Sequence, residues 1–227
     1  MNRSDVVHNM VRYLRNNGLF HFSGLIVEIL RNHIHSYFLG RKLGAAGLLV
    51  RSGYYIRGLP YMHIGKNFHA GRGLWLEAVT QCQGQNFSPV IEIGDNVSIS
   101  FWGHIAAAKL FTIGSGVMIG SKVTIIDHDH GGYGSGMNVS PDIPPSQRLL
   151  SVASVRIGSN VWIADGVVVT AGAEIGEGSV IGANSVVRGY IPPFTLAVGV
   201  PARPIKKFDF VRREWARISD RSDNRSS

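Results

Sequence analysis

The chain is poor in cysteine: Cys82 is its one thiol among 227 residues. A lone cysteine forms no intrachain disulfide, so we expect a protein of a reducing compartment, the cytoplasm. A thiol nucleophile also needs a charged or basic neighbour that activates it. Gln81 and Gln83 offer none, and we therefore assign Cys82 no catalytic role.

Long apolar segments are absent as well. No uninterrupted apolar run reaches the ~18 residues that span a bilayer. Residues 1–15 lack the apolar stretch of a signal peptide. Charged residues are scarce, at 17%, against 44% hydrophobic residues, which suits a chain with a sizeable core.

The formal charge is +8, and acidic residues are the minority. The basic residues gather towards both ends and form no single run. Interleaved aromatic residues are few and no zinc-finger or RRM signature occurs, so nucleic acid is not an expected partner. An anionic membrane surface or a phosphorylated ligand remains as the class of partner that the charge favours.

Glycine is abundant: the chain has 28 glycines among its 227 residues, well above the usual share of about 7%. The glycines follow a repeat of six, in which a small residue comes after an aliphatic one. The aliphatic positions are Ile157, Ile163, Val169, Ile175, Ile181 and Val187, with earlier blocks at Ile93, Ile99, Ile105 and at Ile113, Ile119, Ile125. Positions four residues later are also apolar or small, at Val161, Val167, Ala173, Ser179 and Ser185.

A period of six fits neither an amphipathic helix nor a plain hairpin. Short units that cannot bury an apolar face alone do so by stacking. The repeat therefore predicts a mainly β protein in which coils stack as parallel strands, a parallel β-helix over residues 50–208. We expect an N-terminal helical segment in residues 1–49, in which Gly18 and Gly24 separate two helices, and a short C-terminal helix and tail in residues 209–227. The hexad is lost over residues 127–154, which predicts a loop extruded from the coil.

Residues 50–218 resemble the hexapeptide-repeat acyltransferases. The motifs are the hexads IGSNVWIADGVVVTAGAEIGEGSVIGANSV, the ending VGVPARPIKK, and DHDHGGY followed by PPSQRLLSVASVRIG. They are similar to maltose and galactoside O-acetyltransferases, and more so to O-acetyltransferases of bacterial lipopolysaccharide and exopolysaccharide assembly. The resemblance implies a left-handed β-helix, a homotrimer, acetyl-CoA in a groove between subunits and a sugar hydroxyl as acceptor.

Acetyl transfer to a hydroxyl needs a general base, and histidine has a suitable pKa. His128 and His130 stand in the DHDH motif, and alignment with the sugar acetyltransferases favours His130 while leaving His128 open. Asp127 or Asp129 is expected to orient the ring. A loop-pinning histidine or a metal pair are the alternatives, but a pair of histidines without further ligands is weak evidence for metal.

The resemblance also assigns binding residues. Ser100 stands where the family has a catalytic asparagine, which leaves the oxyanion donor open, and Arg188 stands where threonine is common. The predicted substrate residues are Ser100, Trp102, His104 and Arg148. The predicted acetyl-CoA residues are Trp162, Ala164, Ala183, Asn184, Arg188, Arg203, Lys206 and Lys207.

Two other functions remain open on the sequence. One is N-acetylation of an amino-sugar, which would use the same base. The other is a non-catalytic scaffold, like hexapeptide-repeat carbonic anhydrase relatives without metal. The basic VPARPIKK segment favours an enzyme that uses CoA. The N-terminal helices would either pack on the trimer or lie on an anionic membrane at its inner face, close to a lipid-linked acceptor.

Overall fold

The computed structural model describes residues 3–134 and 137–218, and most of its strands form three sheets, A, B and C. Sheet A contains β1 (Leu49–Val50), β4 (His69–Ala70), β9 (Ser98–Ile99), β12 (Met118–Ile119), β19 (Trp162–Ile163), β22 (Val180–Ile181), β25 (Thr195–Gly199), β26 (Ala202–Asp209) and β27 (Glu214–Arg217). Sheet B contains β2 (Tyr55–Arg57), β5 (Trp75–Ala78), β10 (His104–Ala107), β13 (Thr124–Ile126), β20 (Val168–Val169) and β23 (Val186–Val187). Sheet C contains β3 (Met62–Ile64), β8 (Val90–Ile93), β11 (Leu110–Ile113), β18 (Val155–Ile157), β21 (Glu174–Ile175) and β24 (Tyr190–Ile191).

Successive strands enter sheets A, B and C in turn, so each turn of the chain adds one strand to every sheet. The hexad aliphatics pair with their equivalents three hexads later: Ile157 with Ile175, Ile163 with Ile181, and Val169 with Val187. Each hexad therefore forms one side of a three-sided coil. This arrangement agrees with the parallel β-helix that the repeat predicts.

The hexad side chains fill the interior. All the aliphatic positions of the predicted repeat are buried, and Ile163, Ile181 and Val187 have no exposed surface. The positions four residues later are buried too, including Ser179 and Ser185. Their hydroxyls are satisfied, because Ser179 donates to the Pro192 carbonyl and accepts from Thr195 N–H, while Ser185 accepts from Gly199 N–H.

Two segments leave the coil as antiparallel hairpins. The first consists of β6 (Gln81–Cys82) and β7 (Gln85–Asn86). The second lies where the hexad is lost: β14 (His128–His130) pairs with β17 (Leu150–Val152), and β15 (Tyr133–Gly134) pairs with β16 (Met137–Asn138). Ile113 pairs directly with Ile157 across this excursion, so the coil resumes in the same register.

The helix α1 (Arg3–Leu43) precedes the coil and packs on its first strands. Gly18 interrupts α1 with a left-handed φ of 77°, so the separation into two helical segments lies at Gly18, whereas Gly24 is helical. In the described part of the chain, no helix has both the length and the apolar composition that crossing a bilayer requires.

The predicted C-terminal helix is wrong for residues 209–218. The strand β26 returns antiparallel to β25, and β27 pairs antiparallel with β26. Aromatic contacts hold this pairing: the Phe208 ring lies 5.4 Å from that of Trp215 and 5.0 Å from that of Phe210. Cross-strand aromatic pairs favour a sheet over a helix here. The rest of the predicted tail, residues 219–227, lies outside the described residues.

Candidate active site

The carboxylate of Asp127 is buried at the corner where β13 ends, with 1% of its surface exposed. It accepts hydrogen bonds from the backbone N–H groups of Ala108, Lys109 and Leu110, at 2.7, 2.8 and 3.0 Å. Those residues lie between Ile105 and Ile113, where the aliphatic positions are eight residues apart instead of six, an insertion of two residues. The aspartate therefore closes the widened corner that this insertion creates.

A fourth donor reaches the same carboxylate. The Nδ1 atom of His128 lies 3.0 Å from Oδ1 of Asp127. Because an ionised carboxylate only accepts hydrogen bonds, Nδ1 carries the proton and Nε2 is left with a lone pair. His128 is largely buried, with 14% of its side chain exposed. It is thus a fixed imidazole whose free nitrogen can take a proton.

His130 follows on the same strand but lies in a different environment. Its side chain is exposed, and no described residue hydrogen-bonds to its ring. Its backbone carbonyl accepts from the Tyr133 hydroxyl at 2.7 Å, and Asp129 beside it is exposed too. A carboxylate therefore orients the ring of His128 and not that of His130. The geometry favours His128 as the base, whereas the sequence alignment favours His130.

His104 lies on the outer side of sheet B and interacts with His128. Burial lowers the pKa of His104, the negative charge of Glu77 raises it, and the positive charge of a protonated His128 lowers it further. The His104 ring also lies 5.0 Å from that of Trp75. The sequence predicted His104 as a substrate residue but missed Trp75 and Glu77, because the hexad is too irregular on β5 to separate inward from outward positions.

Ser100 and Trp102 occupy the turn between β9 and β10. The Ser100 N–H donates to the Ile119 carbonyl at 2.8 Å, so this backbone group is already used and the hydroxyl is what the residue can offer. Trp102 has a left-handed φ of 61° and its ring fills the space that a side chain on Gly73 would need. Their contact with a substrate stays a prediction.

A groove of about 520 Å³ runs along the outer face of sheet A. Predicted residues Trp162, Ala164 and Ala183 line it, together with Gly182, Leu196 and Val198. A Cβ atom on Gly182 would come within 2.6 Å of the Val198 side chain. Successive turns of the coil therefore pack closely at this point, and only a glycine fits there. The small residues and the exposed Trp162 ring suit a narrow, partly apolar chain. We call this feature the sheet-A groove.

The predicted basic residues divide between two faces. Lys206 pairs with Leu196 and Arg203 with Val198, so both stand on the face that carries the sheet-A groove. Lys207 pairs with Thr195, whose side chain is buried, which puts Lys207 on the opposite side of the strand. Only part of the predicted phosphate-binding set thus adjoins the groove.

Asn184 and Arg188 are not among the lining residues of the groove. The Asn184 side chain lies against Gly166 of the preceding coil, where any Cβ atom would clash with it. Arg188 is exposed at the corner that follows β23 in sheet B. The structure therefore indicates a coil-stacking role for Asn184, and their contact with acetyl-CoA stays a prediction.

Arg148 holds the excursion together. Its guanidinium donates to the carbonyls of Ile143 and Pro141, at 2.8 and 3.3 Å, and to the Tyr133 hydroxyl at 3.0 Å. These contacts lie within the loop itself. Three of its five N–H groups are used in this way, and the predicted contact of Arg148 with substrate stays a prediction.

The β6–β7 hairpin docks against the excursion. The Gln85 amide accepts from Leu150 N–H at 2.6 Å and donates to the Leu150 carbonyl at 3.3 Å. Gln83 donates to the Ser146 carbonyl. Because Leu150 pairs with His130 on β14, this hairpin supports the strand that carries both histidines. The sequence feature that marks this hairpin is the loss of the six-residue repeat between Leu76 and Ile91.

Comparison with known proteins decides the family. The model of the bacterial transferase hexapeptide (six repeats) matches residues 154–189. A putative lipopolysaccharide biosynthesis O-acetyl transferase of Escherichia coli K12 is 42% identical over 168 residues, which cover 74% of this chain and 82% of that protein. The chain belongs to the hexapeptide-repeat acetyltransferases.

Two further relatives of this acetyltransferase agree. The galactoside O-acetyltransferase of Escherichia coli K12 is 35% identical over 140 residues, covering 61% of this chain and 63% of that protein. A hexapeptide-repeat acetyltransferase of Vibrio cholerae O1 biovar eltor, solved with acetyl coenzyme A, has 27% identity and a TM-score of 0.50 over 78% of each chain. These relatives are acetyltransferases, which favours an enzyme over a non-catalytic scaffold.

Within one chain of the acetyltransferase, the histidines and the groove lie on different sides. The groove is lined from sheet A and the turns that follow it, whereas His104 lies in sheet B and the Asp127–His128 pair follows β13 of that sheet. Among the described residues, no group of three or more His, Cys, Asp or Glu side chains is placed to hold a metal ion.

Proposed function

We propose that this acetyltransferase moves the acetyl group of acetyl-CoA to a sugar hydroxyl of a surface polysaccharide or its precursor, with His128 as general base. The observation that carries the proposal is the contact between His128 and the buried Asp127, which fixes the ring and its protonation. The relatedness to lipopolysaccharide and galactoside O-acetyltransferases supports the choice of acceptor.

In the proposed reaction, Nε2 of His128 carries one proton from the acceptor hydroxyl to the departing thiolate. This nitrogen removes the proton of the acceptor hydroxyl, whose oxygen attacks the thioester carbonyl and forms the ester. The carbon–sulfur bond breaks, and the departing thiolate recovers the proton from the imidazolium. The Asp127 carboxylate stabilises the cation between these two transfers. The three backbone donors to Asp127 keep it in place throughout.

The sheet-A groove is the proposed binding site of the acetyl-CoA arm. A thin, flexible chain with amide groups can lie against Ala164 and Ala183, with Trp162 beside it. Lys206 and Arg203 would meet the phosphates, as cations meet anions at an exposed surface. Incubation with acetyl-CoA and candidate glycosides, followed by mass spectrometry, tests the function. A mass increase of one acetyl group on an amine, and not on a hydroxyl, would favour N-acetylation instead.

A homotrimer of left-handed β-helices is the proposed assembly. The separation of the groove from His128 within one chain supports it, because a neighbouring copy can bring its groove to the histidine. Mixing His128→Ala with Trp162→Ala subunits tests the idea. If sites form between copies, refolded mixtures should regain activity in about one quarter of the sites. No recovery would mean that each chain holds a complete site.

We further propose that the enzyme works in the cytoplasm, at the inner face of a membrane that carries a lipid-linked acceptor. Support comes from the way in which α1 packs. Its inner face docks through polar groups: Ser36 accepts from Val50 N–H at 2.9 Å, and Asn32 accepts from Ser52 N–H at 3.0 Å. Its outer face carries exposed apolar side chains, namely Leu19, Phe20, Val27, Leu30, Ile34, Tyr37 and Phe38.

The charge of α1 indicates which partner this outer face would meet. The exposed basic residues Arg31, Arg41 and Lys42 lie in the C-terminal half of α1, as do most of these apolar side chains. The one acidic residue from residue 19 to residue 43 is Glu28, and the hydrogen bond from Arg72 lowers the pKa of its carboxyl group. An apolar stripe flanked by cations is the pattern of a helix that lies in an anionic lipid interface. We call this surface the apolar face of α1.

A further inference from the structure

Three rings form a row across the outer face of sheet B. Tyr55 pairs with Trp75, and Trp75 pairs with His104, so the three side chains occupy the same position on neighbouring strands. Their ring centroids are 4.9 and 5.0 Å apart. Tyr55 and Trp75 are 43% and 44% exposed, so both rings are accessible to a ligand. The ring planes are tilted by 54° and 44° against one another, and the row offers an apolar surface to solvent.

A carboxylate borders this surface. Glu77 stands two residues after Trp75, and its Oε2 atom accepts from the Trp75 indole N–H at 3.0 Å. Its other oxygen lies 3.7 Å from the guanidinium of Arg57, its register partner on β2. Each carboxylate oxygen has two lone pairs, only one of the four is used by the Trp75 hydrogen bond, and 18% of the Glu77 side chain is exposed. The edge of the row can thus accept hydrogen bonds from hydroxyl groups.

The last ring of the row interacts electrostatically with the proposed base. His104, its last member, feels the charges of both Glu77 and His128. On β13 its register partner is Thr124, four residues before His128 on the same stretch of chain. The low pKa that burial gives His104 keeps its ring neutral near pH 7, with one donor and one acceptor nitrogen. Neither the aromatic row nor the carboxylate takes part in the mechanism given above.

We propose that Tyr55, Trp75 and Glu77 form a subsite that binds the acceptor as an uncharged pyranose ring and presents one of its hydroxyls to His128. One face of the sugar, which carries C–H groups, packs on the negative face of the Trp75 ring. Hydroxyls at the sugar's edge donate to Glu77 and exchange hydrogen bonds with His104. A sugar with its own carboxylate would be repelled by Glu77, which makes the subsite selective for neutral sugars.

This inference rests on the proposed function and is tested apart from it. Wild type, Trp75→Ala and Glu77→Gln are each assayed by release of CoA with p-nitrophenyl galactoside, glucoside, mannoside and N-acetylglucosaminide as acceptors. The acceptor with the highest turnover is then used for kinetics. We expect both variants to raise KM for the acceptor by about ten-fold or more, with kcat and KM for acetyl-CoA within about two-fold of wild type.

Tyr190→Ala is the matched control. Tyr190 is an aromatic residue, 57% exposed, on β24 of sheet C, away from the row. It should leave all three parameters unchanged. If Trp75→Ala does not fold, as judged by circular dichroism, Trp75→Phe and Glu77→Gln carry the test, since both keep the bulk of the side chain.

Two results would overturn the subsite. An unchanged KM for the acceptor in Trp75→Ala and Glu77→Gln would show that sugar binds elsewhere. A change of oligomeric state on size-exclusion chromatography in Trp75→Ala would show that the row is an interface between copies. If wild type itself transfers acetyl to no sugar, the proposed function fails first, and the subsite fails with it.

Discussion

The Asp127 carboxylate lies 3.0 Å from Nδ1 of His128 while it also accepts hydrogen bonds from the three backbone N–H groups of residues 108–110. One buried side chain therefore closes a corner of the coil and orients the proposed base. Stability and catalysis are coupled at this residue, and a single substitution should affect both.

Asp127→Asn tests that coupling. The amide NH₂ group would face backbone donors and leave at least one of them without an acceptor, which costs about 1–3 kcal/mol. It would also fail to hold His128 in the productive tautomer, so kcat should fall by about 10²–10⁴-fold. Urea unfolding gives the first quantity and CoA release the second. A variant with wild-type stability would contradict the hydrogen bonds described.

The choice between the two histidines has its own test. His128→Ala should reduce kcat by about 10³-fold or more, because it removes the ring that Asp127 orients, whereas His130→Ala should cost less than about ten-fold. Both variants are compared by acetyl transfer at saturating acetyl-CoA, with thermal unfolding as the control for folding. The reverse order of the two losses would return the role to His130.

The regular part of the coil could be predicted from the sequence because its information is local and repeated. The six-residue spacing alone predicts that Ile163, Ile181 and Val187 are buried. The contact of Asp127 with residues 108–110 could not be predicted in this way, since it joins two irregularities, an insertion and a lost hexad, separated by 17 to 19 residues. The DHDH motif allows four pairs of one aspartate with one histidine, and only the folded corner singles out Asp127 and His128.

Trp75 and Glu77 were missed for a related reason. On β5 the outward positions carry large side chains and the inward ones are Leu76 and Ala78, so the strand lacks the aliphatic-then-small signature. The prediction of a C-terminal helix was wrong because Phe208 packs on Trp215 of the neighbouring strand, a contact between strands that a local sequence pattern does not contain.

Lys206 and Lys207 are adjacent lysines with different expected roles. Lys206 shares the face of the sheet-A groove and Lys207 does not, because Lys207 pairs with the buried Thr195. Lys206→Ala should therefore raise KM for acetyl-CoA by about three- to ten-fold, with an effect that shrinks as salt increases. Lys207→Ala is the matched control and should change KM little. Equal effects would show that both lysines meet the phosphates.

The pH dependence of stability should reveal His104. Burial lowers its pKa in the folded protein, so the unfolded chain binds a proton more readily. Its contribution to stability is then complete above its ordinary pKa of about 6.5 and is lost as pH falls through the folded value. Between pH 7 and 5, the melting temperature of wild type should fall more steeply than that of His104→Gln. Parallel curves would contradict the direction of the shift.

The apolar face of α1 should bind anionic lipid. The double variant Leu30→Ser, Ile34→Ser removes two of its exposed apolar side chains and leaves the polar docking groups Asn32 and Ser36 intact. We expect wild type to sediment with vesicles that contain phosphatidylglycerol and the variant to do so several-fold less. Val211→Ser, at a site 93% exposed beyond the coil, is the control. Equal sedimentation with pure phosphatidylcholine vesicles would remove the role of charge. A variant that binds like wild type but changes its oligomeric state would show that a second copy covers this face.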